Sequence, residues 1–249
     1  MPDFATILPA APAVTAPRRE KDPARGREIY GWLGLLLLAN IGLLLGNEPT
    51  RALMFDPAAI AGGEWWRVAT WPWAHVSRYH LLLDGVAFLL LYRGLEAASL
   101  RLRLGYLLAV TTGSLLLPLL CDPEIARFGL CGLSGPAHGL LAISALELCR
   151  HSEQKQLGVL ILAGLVTKTA GELYTGTAFL QQWHFGDIGV PIVATHAGGL
   201  LAGLLAFVIA KSGRAAAPAR PSARVRTDGA NAGRCGHQGA RNSARTGPT

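Results

Sequence analysis

The feature that most constrains this chain is a series of long apolar segments with few charges. The first, residues 29–46, has no charged side chain, and about 18 residues at 1.5 Å each nearly cover a hydrocarbon core. Only 16% of the 249 residues are charged, whereas soluble domains have about one quarter. We therefore predict an all-α membrane protein. Five further apolar blocks bring the predicted bundle to six transmembrane helices: 80–92, 104–120, 131–149, 157–171 and 188–210.

The net charge of +7 comes from the C-terminal end of the chain. Eight basic residues and one acidic residue follow position 210, whereas residues 1–210 have fifteen of each sign. This tail has almost no large apolar residues and cannot bury a core. We predict a flexible leader over 1–28, which is not a cleaved signal peptide, a membrane domain over 29–211 and a disordered basic tail over 212–249. Charge confined to such a tail favours contact with anionic membrane lipids and argues against nucleic-acid binding.

The distribution of basic residues predicts the orientation of the bundle. Six spans place both termini on one side of the membrane, where Lys and Arg accumulate if that side is cytoplasmic. The leader, the second-to-third connection, the fourth-to-fifth connection and the tail carry five, three, two and eight basic residues. The opposite side carries five in total. Both termini are therefore predicted to be cytoplasmic.

Ionisable and nucleophilic side chains inside the predicted spans are candidates for function, because placing them in lipid is costly. The second, fourth and sixth helices enter from the non-cytoplasmic side in this topology. Their first turns carry polar residues: His80 and Asp84 on the second helix, Ser134 on the fourth and His196 on the sixth. A hydroxyl group, two imidazoles and a carboxyl group are thus predicted at one depth below the outer surface.

Ser134 and His196 fit the roles of nucleophile and base. A serine hydroxyl is a weak nucleophile that needs a positioned base, and histidine suits that task near neutral pH. The Gly-Leu-Ser-Gly sequence at 132–135 places Ser134 at a helix start, where free N–H groups can stabilise an oxyanion. Gly199 and Gly203 are four residues apart, a spacing that permits tight helix contact and would hold His196 against the fourth helix.

Together these residues resemble the rhomboid intramembrane serine proteases over about residues 60–207. The resemblance implies a Ser134–His196 dyad without a third acid, no cofactor, and hydrolysis of peptide bonds within or at the edge of the membrane. It also implies membrane-anchored protein substrates that enter laterally. The likeness rests on Glu64-Trp65-Trp66-Arg67, the His80 helix, Gly132-Leu133-Ser134-Gly135, and His196 with Gly199 and Gly203.

Within that family, the short six-helix core and the string Gly-Leu-Ser-Gly-Pro-Ala-His-Gly at 132–139 are most similar to the rhombosortases. That subfamily is bacterial and is thought to process exported proteins with a C-terminal Gly-Gly, a hydrophobic helix and a basic anchor. The resemblance implies a bacterial inner-membrane location with the active site open to the periplasmic side.

One position departs from the rhomboid pattern. Rhomboids usually carry asparagine four residues after the second-helix histidine, but this chain has Asp84 four residues after His80. An ionised Asp84 beside an oxyanion would oppose catalysis. We hypothesise that Asp84 either stays neutral in an apolar site and donates a hydrogen bond, or holds His80 in place.

Several residues keep two interpretations at this point. His80 serves as an oxyanion donor or makes a structural bond to the first connection. Gly132, Leu133 and His138 are assigned to supporting the site. His138 also lies one turn after Ser134, so it competes with His196 for the role of general base. His75 and His184 are expected at the membrane interface. No metal site is predicted, because the chain has no His-x-x-Glu or Cys-x-x-Cys cluster.

Two pairs of residues are left undecided by the sequence. Cys121 and Cys131 lie in one external connection and either form a disulfide or stay free. Lys168 and Glu172 are four residues apart near the outer end of the fifth helix, where they either pair or belong to a substrate gate.

Two other classes of function compete with proteolysis. A catalytically inactive rhomboid-like protein that binds membrane clients would tolerate Asp84. A small transporter would use the same buried polar residues, but the sequence shows no internal repeat of the kind common in transporters.

Overall fold

The computed structural model describes residues 23–46, 48–179 and 185–216. Over these ranges the chain is helical, and it contains no β-strand beyond one pair of bridging residues, Phe55 and Leu130. The prediction of an all-α protein is therefore confirmed for the described residues. Most of the predicted leader and tail, namely residues 1–22 and 217–249, lies outside them.

Ten α-helices occur in the described ranges, and six of them have 15 or more residues. Two 3₁₀ helices, Arg51–Leu53 and Trp71–Trp73, lie in the first connection. The α-helices are α1 (Pro23–Ala39), α2 (Ile41–Gly46), α3 (Pro57–Ala61), α4 (Arg67–Thr70), α5 (Arg78–Gly94), α6 (Leu100–Cys121), α7 (Glu124–Phe128), α8 (Ser134–Leu148), α9 (Lys155–Thr175) and α10 (Ala194–Ala216).

Within the described ranges, three helices are long and apolar enough to cross a membrane: α6, α9 and the segment Ala194–Ser212 of α10. By contrast, α8 has only 15 residues, about 22 Å of helix, which is shorter than a hydrocarbon core. It packs against α5, α6 and α9, and it is rich in buried small residues. α8 is therefore the central helix of the bundle, enclosed by its neighbours.

The first connection is folded onto the helices rather than extended. Asn40 lies between α1 and α2, and its side-chain NH₂ group donates to the carbonyl oxygens of Leu36 and Trp73, at 2.8 and 2.7 Å. The side-chain carbonyl oxygen of Asn40, Oδ1, accepts the N–H of His75 at 3.0 Å. Trp73 also stacks on Trp32 of α1 with ring centroids 5.1 Å apart. These contacts fix the chain just before α5 begins.

Close backbone contacts hold α10 against its neighbours. A Cβ atom added at Gly199 would overlap the carbonyl oxygen of Gly135 on α8, and one at Gly203 would overlap that of Gly139. Gly198 approaches Gly113 of α6 in the same way. The structure therefore places the predicted Gly199 and Gly203 face directly on the helix that begins at Ser134.

Candidate active site

Ser134 and His196 meet at the starts of two packed helices. Ser134 is the first residue of α8, and His196 is the third residue of α10. The Nε2 atom of His196 lies 3.2 Å from the Ser134 Oγ, although 62 residues separate them. His196 is buried, and both residues line a cavity of about 350 Å³. This distance suits transfer of the hydroxyl proton to the imidazole.

The backbone before Ser134 is shaped by Gly132. Gly132 has a φ of +94°, a region that L-residues other than glycine rarely adopt. Its N–H donates to the carbonyl oxygen of Trp71 at 3.2 Å. The N–H groups of Ser134 and Gly135 belong to the first turn of α8, where a helix offers them no backbone acceptor. The turn at Gly132 thus leads directly into the helix N-terminus that carries Ser134.

Replacing Gly132 with alanine is expected to reduce reaction of the Ser134 hydroxyl with a fluorophosphonate by about 10²-fold. The new Cβ would lie 2.7 Å from the Asp84 Oδ2 and 2.9 Å from the His80 ring, on a backbone strained by its positive φ. Second-order labelling rates in detergent measure the effect. Gly105→Ala on α6, where a Cβ meets nothing within 4 Å, is the control. An unchanged rate for Gly132→Ala would contradict the role given to this turn.

Asp84 lies behind the turn and contacts it directly. Its Oδ2 accepts the N–H of Leu133 at 2.7 Å and lies 3.2 Å from the His80 Nε2. The Leu133 side chain is fully buried. The structure therefore brings Asp84, His80 and the 132–133 backbone together, with the Asp84 oxygen as hydrogen-bond acceptor.

His75, which was expected at the membrane interface from the sequence, completes this group. It is fully buried, with Nε2 3.8 Å from the Asp84 Oδ2 and its ring edge-on to that of His80. Burial is the main reason why the pKa of His75 falls to about 4, and Asp84 opposes the shift. The ring is therefore neutral at neutral pH. The other histidine expected at the interface, His184, lies outside the described residues.

Glu172 is a site residue whose role the sequence left open between an ion pair with Lys168 and a substrate gate. Its Oε2 lies 2.8 Å from the Nδ1 of His196, and its side chain is only 2% exposed. Lys168 donates to the Oε1 of Glu172 at 2.6 Å. The resemblance implied a Ser134–His196 dyad without a third acid. The structure differs from this expectation, because the Glu172 carboxylate contacts the His196 ring. The sequence showed Lys168 and Glu172 four residues apart in an apolar block, but this spacing did not predict that Glu172 contacts His196.

Comparison with known protein families places this geometry in context. A family model described as a rhomboid domain matches residues 62–212, which is more than half of the chain. The chain belongs to the rhomboid family. The resemblance found in the sequence is confirmed at the level of the family. With its apolar helices, this rhomboid is an integral membrane protein. A search of curated proteins found no match.

In this rhomboid, His138 supports the backbone of Ser134 rather than its hydroxyl. The Nδ1 of His138 donates to the carbonyl oxygen of Ser134 at 2.7 Å, because a carbonyl can only accept. Its ring stacks on His196 with centroids 4.1 Å apart. Lys168 donates to the remaining ring nitrogen, Nε2, at 2.8 Å. His196, not His138, therefore faces the Ser134 Oγ.

Three side chains of the rhomboid site have ligand atoms close enough to surround a metal ion. Those of His138, Glu172 and His196 lie within 4.8 Å of one another. However, the Lys168 ammonium group bonds to both His138 and Glu172, and the two nitrogens of His196 face Glu172 and Ser134. A cation from the chain itself already bonds to this cluster. The contacts favour a hydrogen-bonded network over a metal centre.

Cys121 and Cys131 of the rhomboid are both free. Cys121 is exposed at the end of α6, and Cys131 lines the cavity beside Gly132. Burial, with Asp84 and Asp187 nearby, raises the pKa of the Cys131 thiol to about 12. The thiol is therefore protonated at neutral pH, which makes it a poor nucleophile.

Proposed function

We propose that this rhomboid is an intramembrane serine endopeptidase, with Ser134 as nucleophile and His196 as general base. The 3.2 Å contact between the His196 Nε2 and the Ser134 Oγ carries the proposal. The Ser134 oxygen attacks the scissile carbonyl carbon while His196 takes the hydroxyl proton. His196 then gives that proton to the leaving amine as the peptide bond breaks. Water hydrolyses the acyl-enzyme by the same steps and restores the serine.

The first turn of α8 supplies the proposed oxyanion site. The N–H groups of Ser134 and Gly135 are its donors, and the positive end of the helix dipole adds to them. The Leu133 N–H is already bonded to Asp84. We therefore assign Asp84 to holding the 132–133 backbone and the His80 ring, in preference to donation to the oxyanion. His80 lines the cavity, which supports its assignment as the side chain that approaches the substrate carbonyl.

The membrane arrangement proposed for this chain has six spans. Six long helices support it, and α8 needs less length because other helices enclose it. The N-terminal ends of α5, α8 and α10 meet at the cavity through His80, Ser134 and His196. We propose that this end faces the periplasm of a bacterial inner membrane. The leader 1–28 and the basic tail 212–249 would then be cytoplasmic, flanking the membrane domain over 29–211, with the tail beside anionic lipids.

The proposed substrates are exported proteins with a C-terminal membrane anchor, as for the rhombosortases. The Gly-Leu-Ser-Gly-Pro-Ala-His-Gly string at 132–139 supports this narrower assignment. Carbonyl groups in a helical anchor are bonded and shielded from attack. Paired glycines weaken the helix at the point where the anchor enters laterally, so that the chain can unwind into the cavity.

The test is labelling of the purified full-length protein in detergent with a fluorophosphonate, followed by peptide mass spectrometry. We expect the phosphonyl group on Ser134, because an activated hydroxyl displaces fluoride from phosphorus. A reporter with a Gly-Gly anchor should then be cleaved, and a matched reporter with Leu-Leu at that position should resist. If Ser134 is labelled but neither reporter is cleaved, the serine protease stands and the Gly-Gly specificity is wrong. If the folded protein is not labelled at all, the proposal of a serine protease is overturned.

The second candidate function is an inactive rhomboid that binds membrane clients. One observation favours it: a carboxyl group, Asp84, accepts the Leu133 N–H within one residue of Ser134. A negative charge there would oppose an oxyanion if the two came close. Folded protein without labelling, but with retained binding of an anchored reporter, is the result expected of this candidate.

A further inference from the structure

We propose that Glu172 is a positioning residue for His196, so that the site is a Ser134–His196–Glu172 chain and not a dyad. The proposal rests on the proposed function and deepens it. The three groups are contiguous: the Ser134 Oγ lies 3.2 Å from the His196 Nε2, and the His196 Nδ1 lies 2.8 Å from the Glu172 Oε2. They come from three different helices, α8, α10 and α9.

The carboxylate fixes which ring nitrogen of His196 carries the proton. An ionised carboxylate only accepts hydrogen bonds, so the proton of the neutral ring lies on Nδ1. The lone pair of Nε2 is then directed at the Ser134 hydroxyl, as a general base requires. When His196 takes the serine proton, the imidazolium gains a negative partner. Glu172 acts through His196 and does not touch the substrate.

Lys168 makes a buried carboxylate at this position tenable. A carboxylate removed from water without a partner is costly. Lys168 lies one turn before Glu172 on α9, is 28% exposed, and donates to the Oε1 of Glu172. The N–H of Phe179 donates to the same oxygen at 2.8 Å. Each oxygen of Glu172 therefore has at least one donor, and the Oε2 is left to His196.

The same lysine links the pair to the backbone of the nucleophile. Lys168 donates to the Nε2 of His138, and the Nδ1 of His138 donates to the Ser134 carbonyl oxygen. His138 in turn stacks on the His196 ring. The ring of His196 is therefore held at its edge by Glu172 and on one face by His138. This arrangement restrains both the tilt and the rotation of the base.

A purely structural ion pair between α9 and its neighbours would use the same contacts. The two roles differ in what they predict for a carboxamide. Glutamine at 172 keeps the size of the side chain, but its NH₂ group can donate to Nδ1 and favour the tautomer with the proton on Nε2. That tautomer offers Ser134 no lone pair. A structural pair would instead lose stability without any change of tautomer.

The experiment compares Glu172→Gln and Glu172→Asp with wild type, using the full-length protein in detergent. Glu172→Gln is expected to lower kcat, and the fluorophosphonate labelling rate, by about 10²- to 10⁴-fold, with KM changed less than about two-fold. Glu172→Asp keeps a carboxylate, so its kcat and labelling rate should lie between those of wild type and Glu172→Gln. The matched control is Glu147→Gln, a buried glutamate near the far end of α8 whose carboxylate accepts the N–H of Glu96, expected to react like wild type.

A readout independent of turnover separates this proposal from the proposed function. ¹⁵N spectra of histidine-labelled protein, with His196→Ala used to assign the signal, report the tautomer of His196. We expect the Nδ1–H form in wild type and a loss of it in Glu172→Gln. An unchanged tautomer with full labelling of Glu172→Gln would overturn the positioning role. Absence of labelling in wild type, with the Nδ1–H form present, would count against the protease and leave the Glu172 contact standing.

Discussion

Replacement of Ser134 by alanine is expected to lower kcat for cleavage of an anchored reporter by about 10⁴- to 10⁶-fold. The substitution removes the Oγ that lies 3.2 Å from His196 and introduces no atom that could clash. Helix content and thermal stability should stay near those of wild type. Cleavage under single-turnover conditions in proteoliposomes, read by gel and mass spectrometry, measures the effect on chemistry without a contribution from product release.

His196→Ala should lose a comparable amount of kcat, because the proposed nucleophile and its proposed base act as one unit. The double variant Ser134→Ala/His196→Ala should then be no slower than either single variant. Ser144→Ala, ten residues further along α8, is the matched control and should cleave like wild type. Residual cleavage by Ser134→Ala at more than about one hundredth of the wild-type rate would show that another group is the nucleophile.

Much of the helical framework follows from local sequence. The apolar blocks predict the long helices because a chain in lipid must satisfy its own backbone hydrogen bonds. The start of α8 at Ser134 is encoded nearby, since Gly132 adopts a positive φ just before it. The meeting of Ser134 with His196 was predictable because two features agreed: the polar residues lie in corresponding first turns, and small residues on α10 permit close contact.

The parts that could not be predicted depend on how distant elements pack. Glu172 reaches His196 only because α9 packs on α8 with one particular rotation, and a spacing of four residues cannot specify that rotation. The burial of His75 depends on Asn40, which binds its N–H from a point 35 residues earlier. Trp71 is also buried, because its connection folds back over the helices.

Replacement of Gly199 by valine is expected to lower the free energy of unfolding by at least about 3 kcal/mol. The new Cβ would overlap the carbonyl oxygen of Gly135 and lie 2.8 Å from the Ser114 Oγ. The main obstacle is backbone of a central helix, which cannot rotate away as a long side chain would. The two helices must separate, and His196, three residues before Gly199, must then move away from Ser134.

Thermal unfolding in detergent and the fluorophosphonate labelling rate should therefore fall together in Gly199→Val. Gly164→Val on α9 is the matched control, because a Cβ there meets nothing within 4 Å and the position is exposed. It adds the same side chain to an apolar helix and should leave both measurements nearly unchanged. A Gly199→Val protein that unfolds and labels like Gly164→Val would contradict the close α8–α10 contact. That result would also remove the explanation for why His196 on α10 stays within hydrogen-bonding distance of Ser134 on α8.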